Sequence, residues 1–125
     1  MVISSLIAQE KAHIFCRIYD DRNEVLFDKE IIKNKLSLSD ITDTIEMVLL
    51  DFPDIERIGI SMPGIVNDGR LTLPADGFNN TDIIGLLENK YQKKFVLCND
   101  INSTAVGYYV SQEQYSNICF LYQDI

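Results

Sequence analysis

The sequence contains few of the residues on which metal sites, disulfide frameworks and cofactor cages depend. Its 125 residues include three cysteines, three prolines, one histidine and no tryptophan. No two cysteines stand at a Cys-x-x-Cys spacing, which argues against both a zinc site and a disulfide framework. We therefore predict no metal site. The three cysteines, Cys16, Cys98 and Cys119, lie in apolar runs and are expected to be reduced core thiols of a cytoplasmic protein. The lone His13 lies in a strand-like run and is expected to be a packed or surface strand residue.

Long apolar runs and basic clusters are also missing. No apolar stretch approaches the length of about 20 residues that a membrane-spanning helix needs. The N-terminus has no charged segment before its apolar run, unlike a signal peptide. Eleven Lys and Arg face nineteen Asp and Glu, for a formal net charge of −8. Because an acidic surface repels phosphate backbones, we expect no direct contact with nucleic acid and none with a membrane.

What is present is the composition of one globular domain, residues 1–125, with 46% apolar and 24% charged residues. Ser37 and Asp40 form a capping-box-like helix start, and Asn80 or Thr81 is the expected cap of a second helix. Asn67-Asp68-Gly69 is a strong turn signal between two apolar segments. The periodicity predicts strands at residues 2–8, 13–19, 24–27, 57–62, 95–98 and 118–122, and helices at 40–51, 82–91 and 101–110.

This order of elements points to a fold class. Three antiparallel strands are followed by alternating strands and helices, which predicts an α/β protein with one mixed sheet and flanking helices. That is the layout of the ribonuclease-H-like fold.

Two strand ends carry residues suited to chemistry. Ligands of open α/β sheets bind outside the carboxyl ends of the strands. Met62-Pro63-Gly64 ends one buried strand, and Asn99-Asp100 ends another. A carboxylate there can accept a hydroxyl proton, and an adjacent amide can orient the hydroxyl. The alternative is structural, and spacing alone favours it: Asp100 can simply cap the helix that follows, and Pro-Gly pairs such as Pro63-Gly64 occur in ordinary turns.

Together these residues resemble a known family. Ile58-Gly59-Ile60-Ser61-Met62-Pro63-Gly64-Ile65-Val66, Gly69, and Asn99-Asp100-x-Asn102-x-x-Ala105-x-Gly107 are similar to the ROK family of sugar kinases and sugar-responsive transcriptional regulators. The resemblance covers residues 58–107.

The resemblance implies an actin-like ATPase fold of two lobes, with a sugar bound between them. It implies that Asp100 is the catalytic base, that Asn99 bonds sugar hydroxyls and that Gly64 lies against the sugar. Phe78 falls near a position where the family often has tryptophan, which suggests a sugar contact. A packed aromatic residue is the alternative for Phe78.

The sequence departs from the family in three places. Ala8-Gln9-Glu10-Lys11-Ala12 stands where the kinases have an Asp-x-Gly-Gly-Thr loop for the phosphates of ATP. The glycines are missing, and Glu10 would repel a phosphate. Ala75 follows Pro74 where the family often has asparagine. The second lobe is expected beyond Ile125, so no cofactor site is assigned here, and ATP and magnesium are expected only in a complete parent.

We therefore predict the sugar-binding N-terminal lobe of a degenerate kinase or sugar-responsive regulator. The alternatives are an excised lobe of an active ATP-dependent sugar kinase, and a structural module in which Asp100 only caps a helix. The predicted partners are a sugar or sugar phosphate and the C-terminal lobe. Formation of a homodimer is left open.

Overall fold

A computed structural model describes residues 1–8, 11–22 and 24–99. These residues form eight strands, two α-helices and a short 3-10 turn at Pro74–Asp76. The predicted third helix and last strand, at 101–110 and 118–122, lie outside the described residues. The strands are β1 (Val2–Ala8), β2 (Lys11–Tyr19), β3 (Val25–Lys33), β4 (Arg57–Met62), β5 (Ile65–Asn67), β6 (Arg70–Leu73), β7 (Phe78–Asp82) and β8 (Lys94–Asn99), and the helices are α1 (Leu38–Asp51) and α2 (Ile83–Tyr91).

Five strands form a mixed sheet in the order β3-β2-β1-β4-β8. The first three pair antiparallel, whereas β1 with β4 and β4 with β8 pair parallel. The predicted α/β class, with a mixed sheet and flanking helices, is confirmed. The strand β3 is longer than predicted, because the charged stretch after Phe27 continues the pairing with β2 as far as Lys33.

Helix α1 begins as the sequence predicts. The Ser37 hydroxyl accepts a hydrogen bond from the amide of Asp40 at 3.2 Å, which satisfies one of the unpaired donors of the first turn. Ile41, Ile45 and Val48 are buried on one face of this helix. The helix therefore attaches to the sheet through the apolar stripe that its sequence shows.

Helix α2 begins differently from the prediction. Its cap is Asp82, whose carboxylate accepts the amide of Gly85 at 3.0 Å, so the expectation of Asn80 or Thr81 was wrong. Those two residues belong instead to β7, a strand that pairs with β6 as far as Asp82. A polar strand without apolar alternation left no sequence signal to separate it from a capping segment.

The other three strands form a separate sheet in the order β5-β6-β7. The predicted turn joins β5 to β6, with Asp68 and Gly69 at φ of 52° and 75°. Positive φ at both central residues is what a tight two-residue hairpin requires. This sheet extends from the end of β4 and leads into α2.

Both helices pack on the same face of the five-stranded sheet, called here the covered face. Phe27 of β3 meets Phe52 at the end of α1, with ring centroids 6.0 Å apart. Tyr91 of α2 meets Phe95 of β8 at 6.1 Å. The thiol of Cys16 is buried in this core, as predicted, whereas Cys98 is only half-buried and Cys119 lies outside the described residues.

Candidate functional site

The carboxyl ends of β4 and β8 lie side by side. The two strands pair in parallel up to Met62 and Asn99. The chain therefore leaves both strands at the same edge of the sheet, called here the carboxyl edge. Gly64 and Asn99, two of the four predicted site residues, meet at this edge. Asp100 lies outside the described residues.

A hydrogen bond joins these two residues. The side-chain Nδ2 of Asn99 donates to the carbonyl oxygen of Gly64 at 2.6 Å. This bond holds the connection after β4 against the end of β8 and sets the orientation of the Asn99 amide. An oriented amide is what the recognition of a sugar hydroxyl requires, because hydroxyls both donate and accept hydrogen bonds.

Gly64 must be a glycine for a reason internal to the chain. Its φ is 101°, a conformation that side-chain-bearing residues rarely adopt. A Cβ at this position would lie 2.7 Å from the carbonyl oxygen of Thr72 in β6. The close approach of β6 to Gly64 fixes the three-stranded sheet beside the carboxyl edge.

Phe78 lies at the start of β7 and is only 4% exposed. Its ring belongs to the buried apolar core, as the packed alternative describes. The contact between Phe78 and a sugar stays a prediction, and any such contact involves only the small part of the ring that the core leaves exposed.

A further hydrogen bond joins the segment between β3 and α1 to the 3-10 turn before β7. The carboxylate of Asp76, in the 3-10 turn, accepts the backbone amide of Leu36 at 3.2 Å. This bond links the segment before α1 to the segment before β7. Sequence reasoning missed Asp76, although Asp76-Gly77 is a turn signal that marks such a residue. Ala75, where the family often has asparagine, is exposed in the same turn.

The β1–β2 connection is the place where the family's kinases hold phosphates. Here the antiparallel pairing continues to Ala8 and Lys11, so a ladder occupies the backbone on both sides of the connection. The Lys11 ammonium donates to the side-chain carbonyl of Asn34 at 3.3 Å.

Two cavities of the described surface lie elsewhere. One, of about 700 Å³, is lined by polar residues that include Arg57, Glu88 and Lys94. Another extends from Met1 to the segment after α1. Both are at the opposite, amino edge of the parallel strands. Within the described residues no cluster of three His, Cys, Asp or Glu side chains could hold a metal ion. No described helix has the length and apolarity to cross a membrane.

Comparisons with known proteins agree with this architecture. A family model described as the ROK family matches residues 11–123. No curated protein sequence matches the chain. Among solved structures, a ROK family transcriptional regulator, a homologue of the E. coli MLC protein, is similar at a TM-score of 0.74 and 18% identity over 93% of this chain and 32% of that one.

Two kinases have the same fold. A ROK family glucokinase from Streptomyces griseus, solved with glucose and AMPPNP, matches at a TM-score of 0.62 and 22% identity over 86% of this chain and 35% of that one. ROK hexokinase from Thermus thermophilus matches at a TM-score of 0.58 and 18% identity, over 86% of this chain and 36% of that one. The chain thus spans about a third of the length of these structures. The predicted fold is confirmed by these likenesses.

Proposed function

This chain belongs to the ROK family, and from that premise we propose that it is the sugar-binding N-terminal lobe of a two-lobed ROK protein. The observation that carries the proposal is the hydrogen bond from Asn99 to Gly64. It brings together two residues of the family pattern that come from different strands. The edge at which they meet is the one where open α/β sheets bind ligands.

In this proposal the residues have distinct roles. Asn99 orients a sugar hydroxyl, Gly64 borders the sugar, and Asp100 accepts a hydrogen bond from a hydroxyl. In a parent that transfers phosphate, Asp100 would also take the hydroxyl proton as general base. The ligand is a sugar or sugar phosphate, and a second lobe closes the other side of the cleft.

We place the parent among sugar-responsive regulators or degenerate kinases rather than active kinases. The support is the β1–β2 connection, where pairing continues to Ala8 and Lys11 and the glycines of a phosphate loop are missing. An active ATP-dependent sugar kinase is the alternative. ATP and magnesium should give no saturable heat with this chain in titration calorimetry. Saturation in the micromolar range would refute that part of the proposal.

The sugar site itself is tested at Asp100 in the full-length parent. Asp100→Asn keeps the capping ability of the side chain but cannot act as a base, whereas Asp100→Ala removes both functions. Sugar affinity by calorimetry and melting temperature are measured for both variants with a panel of hexoses and hexose phosphates. We expect weaker sugar binding in both variants with stability nearly intact, because the loss of a sugar contact does not remove a helix cap, which would cost about 1 kcal/mol.

The opposite pattern would overturn the assignment. Unchanged affinity in both variants, with lower stability in Asp100→Ala, would mean that Asp100 is only a helix cap. Leu50→Ala, at an exposed position of α1, is the control and should change neither quantity.

A further inference from the structure

The carboxylate of Asp76 has more hydrogen-bonding capacity than the fold uses. This residue ends the 3-10 turn Pro74–Asp76 and is half-buried. Its Oδ1 accepts the backbone amide of Leu36 at 3.2 Å. Within the described residues the carboxylate has no other hydrogen bond and no ion pair. An asparagine oxygen would accept the same amide equally well. The negative charge and the second oxygen of Asp76 therefore have no role in the described contacts.

The fold places this carboxylate at the carboxyl edge. Strand β3 runs parallel to β1, because each is antiparallel to β2, so Leu36 follows the carboxyl end of β3. On the other side of the turn, Leu73 approaches Gly64 so closely that a Cβ on the glycine would lie 3.2 Å from the Leu73 Cβ. Asp76 follows Leu73 by one turn of 3-10 helix, about 6 Å at a rise of about 2 Å per residue. Asp76 and Gly64 therefore border the same part of this edge.

The chemistry of a carboxylate restricts what this oxygen can bind. An ionised aspartate accepts hydrogen bonds and donates none, so its partner must be a donor such as a hydroxyl. A phosphate group would be repelled, since it has the same sign of charge. No described ammonium or guanidinium group pairs with Asp76 to offset that repulsion. Hydrogen bonds to a charged acceptor are stronger than neutral ones, and the charge of Asp76 would strengthen a bond from a hydroxyl.

We infer that Asp76 is a sugar-contacting residue, whose Oδ2 accepts a hydrogen bond from a sugar hydroxyl while Oδ1 stays on the amide of Leu36. The bond to Leu36 already orients the carboxylate, so little side-chain freedom is lost on binding. The part of the ligand that faces the turn is hydroxylated and uncharged, and any phosphate group of the ligand lies away from it. This inference rests on the proposed function, to which it adds a contact separate from Asn99 and Asp100.

Titration calorimetry on the full-length parent tests the contact. The probes are glucose, mannose and galactose, followed by the monodeoxy derivatives of the hexose that binds most tightly. In the unmodified protein we expect the derivative without the facing hydroxyl to bind about tenfold more weakly, because a hydrogen bond to a charged acceptor is lost. In Asp76→Ala that derivative and its hexose should bind alike to within about twofold, since the hydroxyl no longer has its partner.

Asp76→Asn separates the sugar contact from the stability of the turn. The variant keeps an acceptor oxygen for the Leu36 amide, so its melting temperature should stay unchanged. It loses the charge, so hexose affinity should fall about threefold to tenfold. Asp20→Asn is the matched control. The Asp20 carboxylate also accepts backbone amides, those of Arg22 and Glu24 at 2.8 Å and 2.9 Å, but it follows β2 at the amino edge. This control should leave hexose affinity unchanged.

The outcomes distinguish this inference from the proposed function. If hexoses bind and both Asp76 variants leave their affinity unchanged, Asp76 is a residue of the fold and only this inference is overturned. The same holds if each deoxy derivative is weakened equally in the unmodified protein and in Asp76→Ala. If neither a hexose nor a hexose phosphate binds to the unmodified parent, the proposed function is overturned and this inference with it.

Discussion

The two edges of the parallel strands β1, β4 and β8 are closed in different ways. At the amino edge, the N-terminal ammonium of Met1 donates to the carbonyl of Arg57 at 3.1 Å. The Met1 carbonyl in turn accepts the amide of Gly59 at 2.9 Å. Lys93 donates to the carbonyls of Pro53 and Ile55 at 3.2 Å and 2.5 Å. These bonds tie strand starts and helix ends together through backbone carbonyls.

At the carboxyl edge, a side chain makes the connection. The Asn99 side chain donates a hydrogen bond to the Gly64 carbonyl. Gly64 has a positive φ and lies so close to β6 that only glycine fits at this position. Two cavities of the described surface lie at the amino edge. The comparison teaches that the two edges are held by different kinds of contact. Backbone carbonyls accept the bonds from a terminal ammonium and a lysine at the amino edge, whereas an amide side chain joins two strand ends at the carboxyl edge.

The largest effect that we expect concerns the carboxyl edge. Gly64→Ala should lower the free energy of unfolding by about 3 kcal/mol, because alanine is strained at φ of 101° and its Cβ meets the Thr72 carbonyl. Urea denaturation followed by circular dichroism measures the loss. Gly77→Ala is the matched control, with φ of 82° and no atom within 4 Å, and should cost only about 1 kcal/mol. Equal losses would contradict the role given to the Thr72 contact.

The next largest effect concerns the Cys16 thiol near the amino edge, and it is expected as a loss of stability at alkaline pH. Burial raises the pKa of the Cys16 thiol from 9.0 to about 11, an increase that the ammonium of Met1 partly opposes. Below pH 9 the thiol keeps its proton in both states. Between pH 9 and 11 only the unfolded chain loses it, so stability should fall by roughly 2 kcal/mol.

The Cys16→Ala variant removes this titration. Its unfolding free energy should therefore fall less between pH 9 and 11 than that of the unmodified protein, as measured by urea denaturation across that range. Cys98→Ala, at a half-buried position of β8, is the control and should keep the full slope. Parallel pH profiles for the unmodified protein and Cys16→Ala would show that the thiol does not titrate differently on folding.

A smaller effect is expected at Asn99. Asn99→Ala removes the bond to Gly64 and should cost about 1 kcal/mol. Asn99→Asp should cost slightly more at pH 7, since a carboxylate cannot donate to a carbonyl and repels it. Below pH 4, about the pKa of an aspartate, the protonated acid can donate to the carbonyl, so Asn99→Asp should become more stable than Asn99→Ala. Unfolding curves at pH 7 and at acid pH measure both quantities, and an Asp variant as stable as the unmodified protein at pH 7 would remove the importance given to this bond.

The smallest effect concerns Lys93 at the amino edge. Lys93→Met keeps most of the apolar stem but loses the bonds to Pro53 and Ile55, with an expected cost of about 1 kcal/mol or less. Thermal unfolding by calorimetry measures it. Lys94→Met is the neighbouring control, because the Lys94 ammonium has no partner in the part of the chain that the structure describes. A shift in melting temperature of the same size in both variants would mean that the two carbonyl contacts do not contribute to stability.

Sequence periodicity predicted the elements with strong local signals. Helix α1 has a serine cap and a regular apolar stripe, and both are found. Strand β7 was missed because its residues Asn79, Asn80 and Thr81 are polar, and its pairing with β6 is a tertiary contact without a local pattern. The wrong cap of α2 follows from the same cause, since the missing strand moves the helix start to Asp82. Of the predicted site residues, Asp100 lies outside the described residues, and its role stays a prediction.

The sequence by itself determined the class of fold, the order of the main strands and helices, and the family. The fold class and the order of elements follow from periodicity and caps, which act over a few neighbouring positions, and the family follows from the resemblance of the motifs in residues 58–107. Only the tertiary structure decided that Asn99 bonds the carbonyl of Gly64, that Phe78 is buried, and that both described helices pack on one face of the sheet. Those outcomes depend on contacts between segments far apart in the chain. The parallel register of β4 with β8 brings two such segments together, and a local sequence pattern contains no information about that register.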